Sequence, residues 1–347
     1  MPMAVAYRSL CVLMLLFATL TANIAAPAWA CGCGAYIPDH PGATVVDERA
    51  LIAWDGSTED ILMSFRVSGA SGRAAWVMPV PSAAQVTLGD DAVFDELARR
   101  TAPRIEYRDS WWPTFGWLGI GAQGALEAAG TRPGGVNVLG SRRIGPFDVT
   151  RLAGDDPAAL AHWLTAKGFP HPDGLDTNLA PYVAARWEIV AIQLAPDAAG
   201  ATLSGTLQPL RLSFASDTAV YPMRLSRSAK APQRVDLYVL ADHRMDPSAL
   251  PVPGNAATLQ YAGRVDAPAL TSYRGHYLTR WTNYLGEPQR IDGDYVFTRA
   301  ATDSDYAQVI YLTRNHGDVS GLALIGAGLG AGVLVAVLWW RRRRQAR

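Results

Sequence analysis

AAWVMPVP, residues 74–81, decides how the chain is read. Its first five residues carry no charge and form a short apolar run of strand length. Pro79 and Pro81 then withdraw two backbone donors, so the strand must end there or lie at a sheet edge. Each proline also pushes the residue before it toward extended geometry. The stretch predicts a strand running into a stiff extended segment, with Trp76, Pro79 and Pro81 as a structural motif. A rigid crossover between sheets is the preferred reading, and a partner-binding Pro-x-Pro segment is the alternative.

Similar runs recur on both sides: residues 50–54 (ALIAW), 61–67 (ILMSFRV), 235–240 (VDLYVL) and 294–298 (DYVFT). Leu210, Leu212 and Phe214 alternate with Arg211 and Ser213, the period of a strand with one wet face. Residues 187–194 (WEIVAIQL) are apolar on both parities except Glu188 and Gln193, which predicts a central, mostly buried strand. Two helices carry local signals. One has an Asp156 cap, Pro157 in its first turn and Gly168 as its stop, with Leu160, Trp163 and Leu164 on one face. The other spans 90–100, with Val93, Phe94 and Leu97 on its apolar side. A third is expected near 178–186. Strands outnumber helices, so the predicted class is α+β: strand-rich, mainly antiparallel and sandwich-like, with two or three inserted helices and one C-terminal transmembrane helix.

The last feature comes from the chain's end. Residues 319–340 (VSGLALIGAGLGAGVLVAVLWW) run without charge for about 22 residues, enough to cross the hydrocarbon core. Trp339 and Trp340 sit where interfacial aromatics belong, and the basic run opening at Arg341 marks the cytoplasmic side. Gly326 and Gly330 have GxxxG spacing, which admits a transmembrane homodimer, although glycine is common in such helices anyway. A clipped sorting signal is a minor alternative. At the other end, Arg8, an apolar core over 10–20 and Ala28-Trp29-Ala30 form a secretory signal with a cut after Ala30. The expected organisation is signal peptide 1–30, extracytoplasmic domain 31–318, transmembrane helix 319–340 and basic cytoplasmic tail 341–347. The predicted location is the bacterial cell membrane, single-pass, with the body outside and the lipid bilayer as a partner.

The chain has 31 basic and 31 acidic residues, and Arg341, Arg342, Arg343, Arg344 and Arg347 pile up at its end, which leaves the rest mildly acidic. The body offers no basic stripe for nucleic acid. Residues 110–145 differ from the rest, with WWPTFGWLG followed by many glycines. They predict a long loop whose Trp111, Trp112, Phe115 and Trp117 either fold back as a lid over the core, the preferred reading, or dip into the membrane interface.

These landmarks together resemble the bacterial family catalogued as domain of unknown function 2330. The resemblance rests on Cys31-Gly32-Cys33-Gly34, on the WVMPVP motif, and on residues 93–103 (VFDELARRTAP) and 145–149 (GPFDV). It also rests on the helix ending Trp163-Leu164, Tyr182-Val183, the strand after Trp187, Tyr277-Leu278-Thr279, and residues 294–297 (DYVF). It implies an exported protein with a cysteine-containing start and often a C-terminal anchor, and it carries no reaction or catalytic residue.

Catalytic signatures are sparse. HExxH, GxSxG and P-loop motifs are missing, and a literal GxGxxG at 119–124 follows an aromatic loop rather than a strand. Asp242, His243 and Asp246 form the densest polar cluster, able to hold a cation, an acid–base pair or nothing but solvent. Cys31 and Cys33 are the only cysteines left after signal removal. They admit a local or intermolecular disulfide, a strained redox pair, lipid attachment at Cys31, or a soft metal held with the new α-amine and His40. No cofactor is required by the sequence. The favoured function is a binding or scaffolding domain of the envelope, with an envelope protein as one candidate partner. A thiol-redox or metal-binding protein using the cysteine pair is the first alternative, and an envelope hydrolase using the Asp242 cluster the second.

Overall fold

A computed structural model of the chain describes residues 34–40, 42–114, 148–152, 157–196, 201–229 and 232–345. It divides into two compact units, one of residues 1–102 with 143–307 and the other of 103–142 with 308–347.

The first unit is a sandwich. Its large sheet has nine strands: β2 (Thr44–Trp54), β3 (Thr58–Ser71), β5 (Gln85–Leu88), β9 (Leu203–Thr206), β10 (Leu210–Ala215), β12 (Gln233–Ala241), β14 (Thr258–Arg264), β15 (Tyr277–Leu285) and β17 (Tyr306–Ala307). They run in the order β17-β14-β15-β12-β2-β3-β10-β5, with β9 also on β3. Every pairing is antiparallel except β12 on β2, which is parallel. A second sheet is ordered β1-β4-β8-β7, from β1 (Ala35–Pro38), β4 (Ala74–Val80), β8 (Glu188–Leu194) and β7 (Asp148–Leu152). A third is ordered β11-β16-β13, from β11 (Ala219–Tyr221), β16 (Tyr295–Arg299) and β13 (Met245–Ala249).

Alternation explains the layers. Ala50, Ile52, Ile61, Met63, Phe65, Val235, Leu237 and Val239 lie on one face of the large sheet. They share a core with Trp76, Met78, Val190 and Ile192 of the second sheet and Tyr221, Tyr295 and Phe297 of the third. The far face of the second sheet carries Ala75, Val77, Ile189 and Ala191. Against it pack Leu160, Trp163 and Leu164 of α2 (Pro157–Lys167) and Leu175, Leu179 and Tyr182 of α3 (Leu175–Ala184). The far face of the large sheet takes Val93, Phe94 and Leu97 of α1 (Asp91–Arg100), capped by the Asp90 side chain on Ala92 N at 2.9 Å. The strand-rich, mainly antiparallel α+β expectation holds, as do the buried central β8 and the period-2 burial of β10.

WVMPVP behaves as its prolines dictate. Trp76 is fully buried, 5.9 Å from the Phe65 ring. Among the described residues Pro79 is paired only on the β8 side of β4, because β1 (Ala35–Pro38) pairs with β4 as far as Val77. Pro81 then opens the short connection that carries the chain from the second sheet to β5 of the large one.

The third helix differs from expectation. It starts three residues earlier, at Leu175 after a left-handed Gly174, and ends where Arg186 adopts φ 60°. Residues such as Leu175 that pack on the sheet set its start, with no capping side chain to announce it.

In the second unit, β6 (Arg104–Ser110) pairs in parallel with β18 (Val309–Asn315), and β18 leads into α4 (Gly317–Gln345). The lid expected from the aromatic loop is corrected for its first two members. Trp111 and Trp112 are 60% and 80% exposed, and Trp111 stacks on His316 rather than on a sheet. Phe115, Trp117 and the GxGxxG stretch lie outside the described residues.

Candidate functional site

The residues singled out in the sequence do not converge. Cys31 and Cys33 lie outside the described residues. His40 is exposed and pairs with Asp39 at 3.1 Å. In the polar loop each member has its own partner: Asp242 faces His276 at 3.4 Å, His243 faces Asp303 at 2.8 Å, and Asp246 takes Arg244 Nε at 2.9 Å. The His243 contact, then the Arg244 N–H, hold the Asp303 carboxyl below its ordinary range. Among the described residues no three His, Cys, Asp or Glu gather as a metal site.

What comes together instead is a set of polar side chains inside the sandwich. Val235 of β12 is flanked by Glu48 of β2 and Asn283 of β15, which share its inward face. Opposite them, Tyr221 and Tyr295 sit side by side on β11 and β16. The Tyr221 hydroxyl donates to Glu48 Oε1. Burial pushes the Tyr295 pKa up, the neighbouring Asn283 amide opposes this, and the charge of Glu48 adds to it. Gln233, two residues before Val235, lines a cavity of about 10 Å³ with Glu48, Val45, Val46, Asp47 and Arg234. That is room for about one water. Gln233 Oε1 is buried here without a hydrogen-bond partner among the described residues, and such a group calls for one.

The cluster reaches the surface through one residue. Asn255 Nδ2 donates to Asn283 Oδ1 at 3.0 Å, and Asn255 itself lines an open cleft of about 240 Å³ with Tyr284, Gly286, Glu287 and Arg290. Arg290 and Glu287 face each other at 3.5 Å, both more than half exposed. The cleft is smaller than a typical drug-sized pocket. Its amide, guanidinium and carboxylate suit a small polar group better than an apolar one.

A second buried acid lies at the other end of the same face. Glu59, in phase with Ile61 and Met63, accepts the Val220 N–H at 3.2 Å. Burial pushes its pKa well above the ordinary 4.5, although the Val220 N–H and Ser216 oppose this. Glu48 and Glu59 thus hold neighbouring residues of β11, through Tyr221 and Val220. Strand parity was the available signal for both, since Glu48 alternates with Ala50 and Ile52.

A third set ties α3 to the β16 side. Tyr182 donates to Asp294 Oδ1 at 2.5 Å, the Met223 N–H reaches the same oxygen at 2.6 Å, and the Arg224 N–H reaches the Tyr182 hydroxyl at 3.2 Å. Burial, then the Asp294 charge, pushes the Tyr182 pKa up, so the phenol stays a donor.

Residues 27–298 match the family model described as an uncharacterized protein conserved in bacteria (DUF2330). The chain belongs to this family. No curated protein matches the DUF2330 chain significantly. Among solved structures it is similar to baculovirus P35, at 7% identity and a TM-score of 0.32, covering 77% of this chain and 98% of that one. It is also similar to a chain in the caspase-8/P35 complex, at 7% identity and a TM-score of 0.28, covering 74% and 94%. Likeness at that level carries nothing over to the DUF2330 chain.

Proposed function

We propose that this DUF2330 protein is a single-pass membrane protein of the bacterial envelope, whose sandwich lies outside the cytoplasm and serves as a binding or scaffolding domain. The observation that carries the reading is α4. It has 29 residues, its most apolar window has a mean hydropathy of 2.3, and 6% of that window is buried. Leu329, Val333, Leu334 and Val335 are 64–68% exposed. A helix apolar on all sides, with its most apolar window almost wholly uncovered among the described residues, has the character of a membrane span. At its end Arg343 lies 3.6 Å from the Trp339 ring centroid and Arg344 3.6 Å from that of Trp340. A basic, aromatic boundary of this kind favours the cytoplasmic side. A binding role is supported by the polar cleft at Asn255 and Arg290, while the acids and histidines of the Asp242 loop are engaged with separate partners.

Protease added to spheroplasts tests the topology. The sandwich should be degraded while a tag placed after Arg347 survives. A protected sandwich or a digested tag overturns the orientation. A photoreactive side chain at Tyr284, beside the cleft, tests binding in intact cells. Adducts with envelope protein or glycan are expected, and their absence counts against a binding surface there.

A further inference from the structure

The ribbon that leads into α4 carries exposed apolar and charged side chains on both faces. Residues in register share a face, so Ile105 and Tyr107 lie with Ile310 and Leu312. Trp111, with the parity of Tyr107, extends this face and stacks on His316 with ring centroids 4.4 Å apart. Ile105, Tyr107, Ile310 and Leu312 are 40–55% exposed. Asp109 and Arg314 share this face, with Arg314 3.8 Å from the Tyr107 ring centroid, while Val309 and Tyr311 lie with Glu106, Arg108 and Thr313 on the other.

The end of this face is fastened to the start of α4. The His316 N–H donates to Ser110 O at 2.8 Å, and His316 Nε2 meets Asp109 Oδ1 at 3.0 Å. The Thr114 N–H donates to Gly317 O at 2.9 Å, and its hydroxyl to Asp318 Oδ1 at 2.8 Å. Gly317 has no room for a side chain, because a Cβ there would come within 2.2 Å of the Trp112 carbonyl oxygen. Two exposed tryptophans are therefore fixed, by contacts on both sides of them, against the first turn of the apolar helix.

We propose that Trp111 and Trp112 form an outer-leaflet anchor, their rings seated in the lipid headgroup and acyl boundary around the start of α4. This deepens the membrane reading above and rests on it. The occupant follows from continuity, since the residues that hold the two tryptophans are the ones from which the span begins. It also follows from spacing. Gly317 to Trp339 is about 33 Å of helix at about 1.5 Å per residue, close to the roughly 30 Å of a hydrocarbon core. Trp111 and Trp112 thus stand one bilayer thickness from Trp339 and Trp340, and both interfaces receive an aromatic belt. Tryptophan suits the site because its ring is apolar and its N–H stays within reach of headgroups. The outer belt is supplied by a segment remote in sequence from the span.

The test uses the full mature chain in vesicles of phosphatidylethanolamine and phosphatidylglycerol, with p-benzoylphenylalanine replacing Trp112, Leu329 or Glu106 in turn. On illumination, Trp112 and Leu329 positions should form lipid adducts, several-fold above the Glu106 position at the middle of β6. A Leu329 probe that labels lipid beside a Trp112 probe that does not overturns the anchor and leaves the span standing. Crosslinks from position 112 to a second copy of the chain, or to residues 115–147, in place of lipid also overturn it. Lipid labelling at Glu106 equal to that at Trp112 overturns the assignment to the tryptophans. Failure of the Leu329 probe to reach lipid removes the span itself, and the anchor with it.

Discussion

Glu59 accepts the backbone N–H of Val220 at 3.2 Å, so a carboxyl group buried in a β-sandwich supplies the acceptor for an edge strand of the facing sheet. Its raised pKa makes this a pH-dependent contact. The folded chain keeps the Glu59 proton where the unfolded chain has lost it. The stability it contributes is full below the ordinary value of 4.5 and falls as pH rises toward the elevated folded value. Glu59→Gln keeps an acceptor for Val220 and cannot ionise. Thermal melts should give similar midpoints near pH 4.5 and a higher midpoint for the variant at mildly alkaline pH. Every tenfold difference in proton affinity between the folded and unfolded chains is worth about 1.4 kcal/mol. A difference in midpoint that does not grow with pH would mean the carboxyl is already ionised in the fold.

Tyr182→Phe is the pH-independent counterpart. It removes the donor to Asp294 and the acceptor for the Arg224 N–H, while Met223 keeps its bond to Asp294. The expected loss is about 1–3 kcal/mol, read from urea unfolding. It should be constant across neutral pH, because the phenol titrates above that range.

On the far face of the large sheet, Arg280 Nε and Nη2 grip Asp236 at 2.9 and 2.7 Å, and Nη1 reaches Thr101 Oγ1 at 3.0 Å. Beside them burial, then the Asp236 charge, pushes the Tyr238 hydroxyl up to about 12. Arg280→Met strands the Asp236 carboxylate and should cost about 2–3 kcal/mol. That is less than the roughly 3–5 of a fully enclosed pair, because both side chains keep some solvent contact. Arg280→Met with Asp236→Leu should recover much of the loss, and a double variant as unstable as the single one would refute the pairing argument.

Gly34 gives the cysteine-bearing start a structural neighbour. A Cβ at this position would fall 2.4 Å from the Val77 carbonyl oxygen and 3.0 Å from the Trp76 indole nitrogen. Gly34→Ala should therefore lift the segment off β4 at a cost of about 1–3 kcal/mol, visible as a lowered melting midpoint and altered Trp76 fluorescence. An unchanged midpoint would show that the start of β1 moves freely.

The strands were legible from apolar runs such as residues 61–67, buried almost throughout, and from the two-residue period of 210–214. WVMPVP was legible because proline geometry is local. Strand β6 was not, since RIEYRDS mixes apolar and charged residues and its partner lies far along the chain. Nor was the buried polar cluster. It forms only when β2, β12, β15, β11 and β16 align, and no single stretch announces that Glu48, Asn283 and Tyr295 will meet.

The parallel register of β6 with β18 also imposes an order of events. Asp109 and His316, joined across the ribbon's end, are 207 positions apart. In a chain synthesised from its N-terminus, β6 must wait as a lone strand while the rest of the sandwich is made. Its partner arrives directly ahead of α4. Ribbon closure is therefore among the last folding events, and the Trp111–His316 stack becomes a built-in marker that the chain is complete as far as the start of α4.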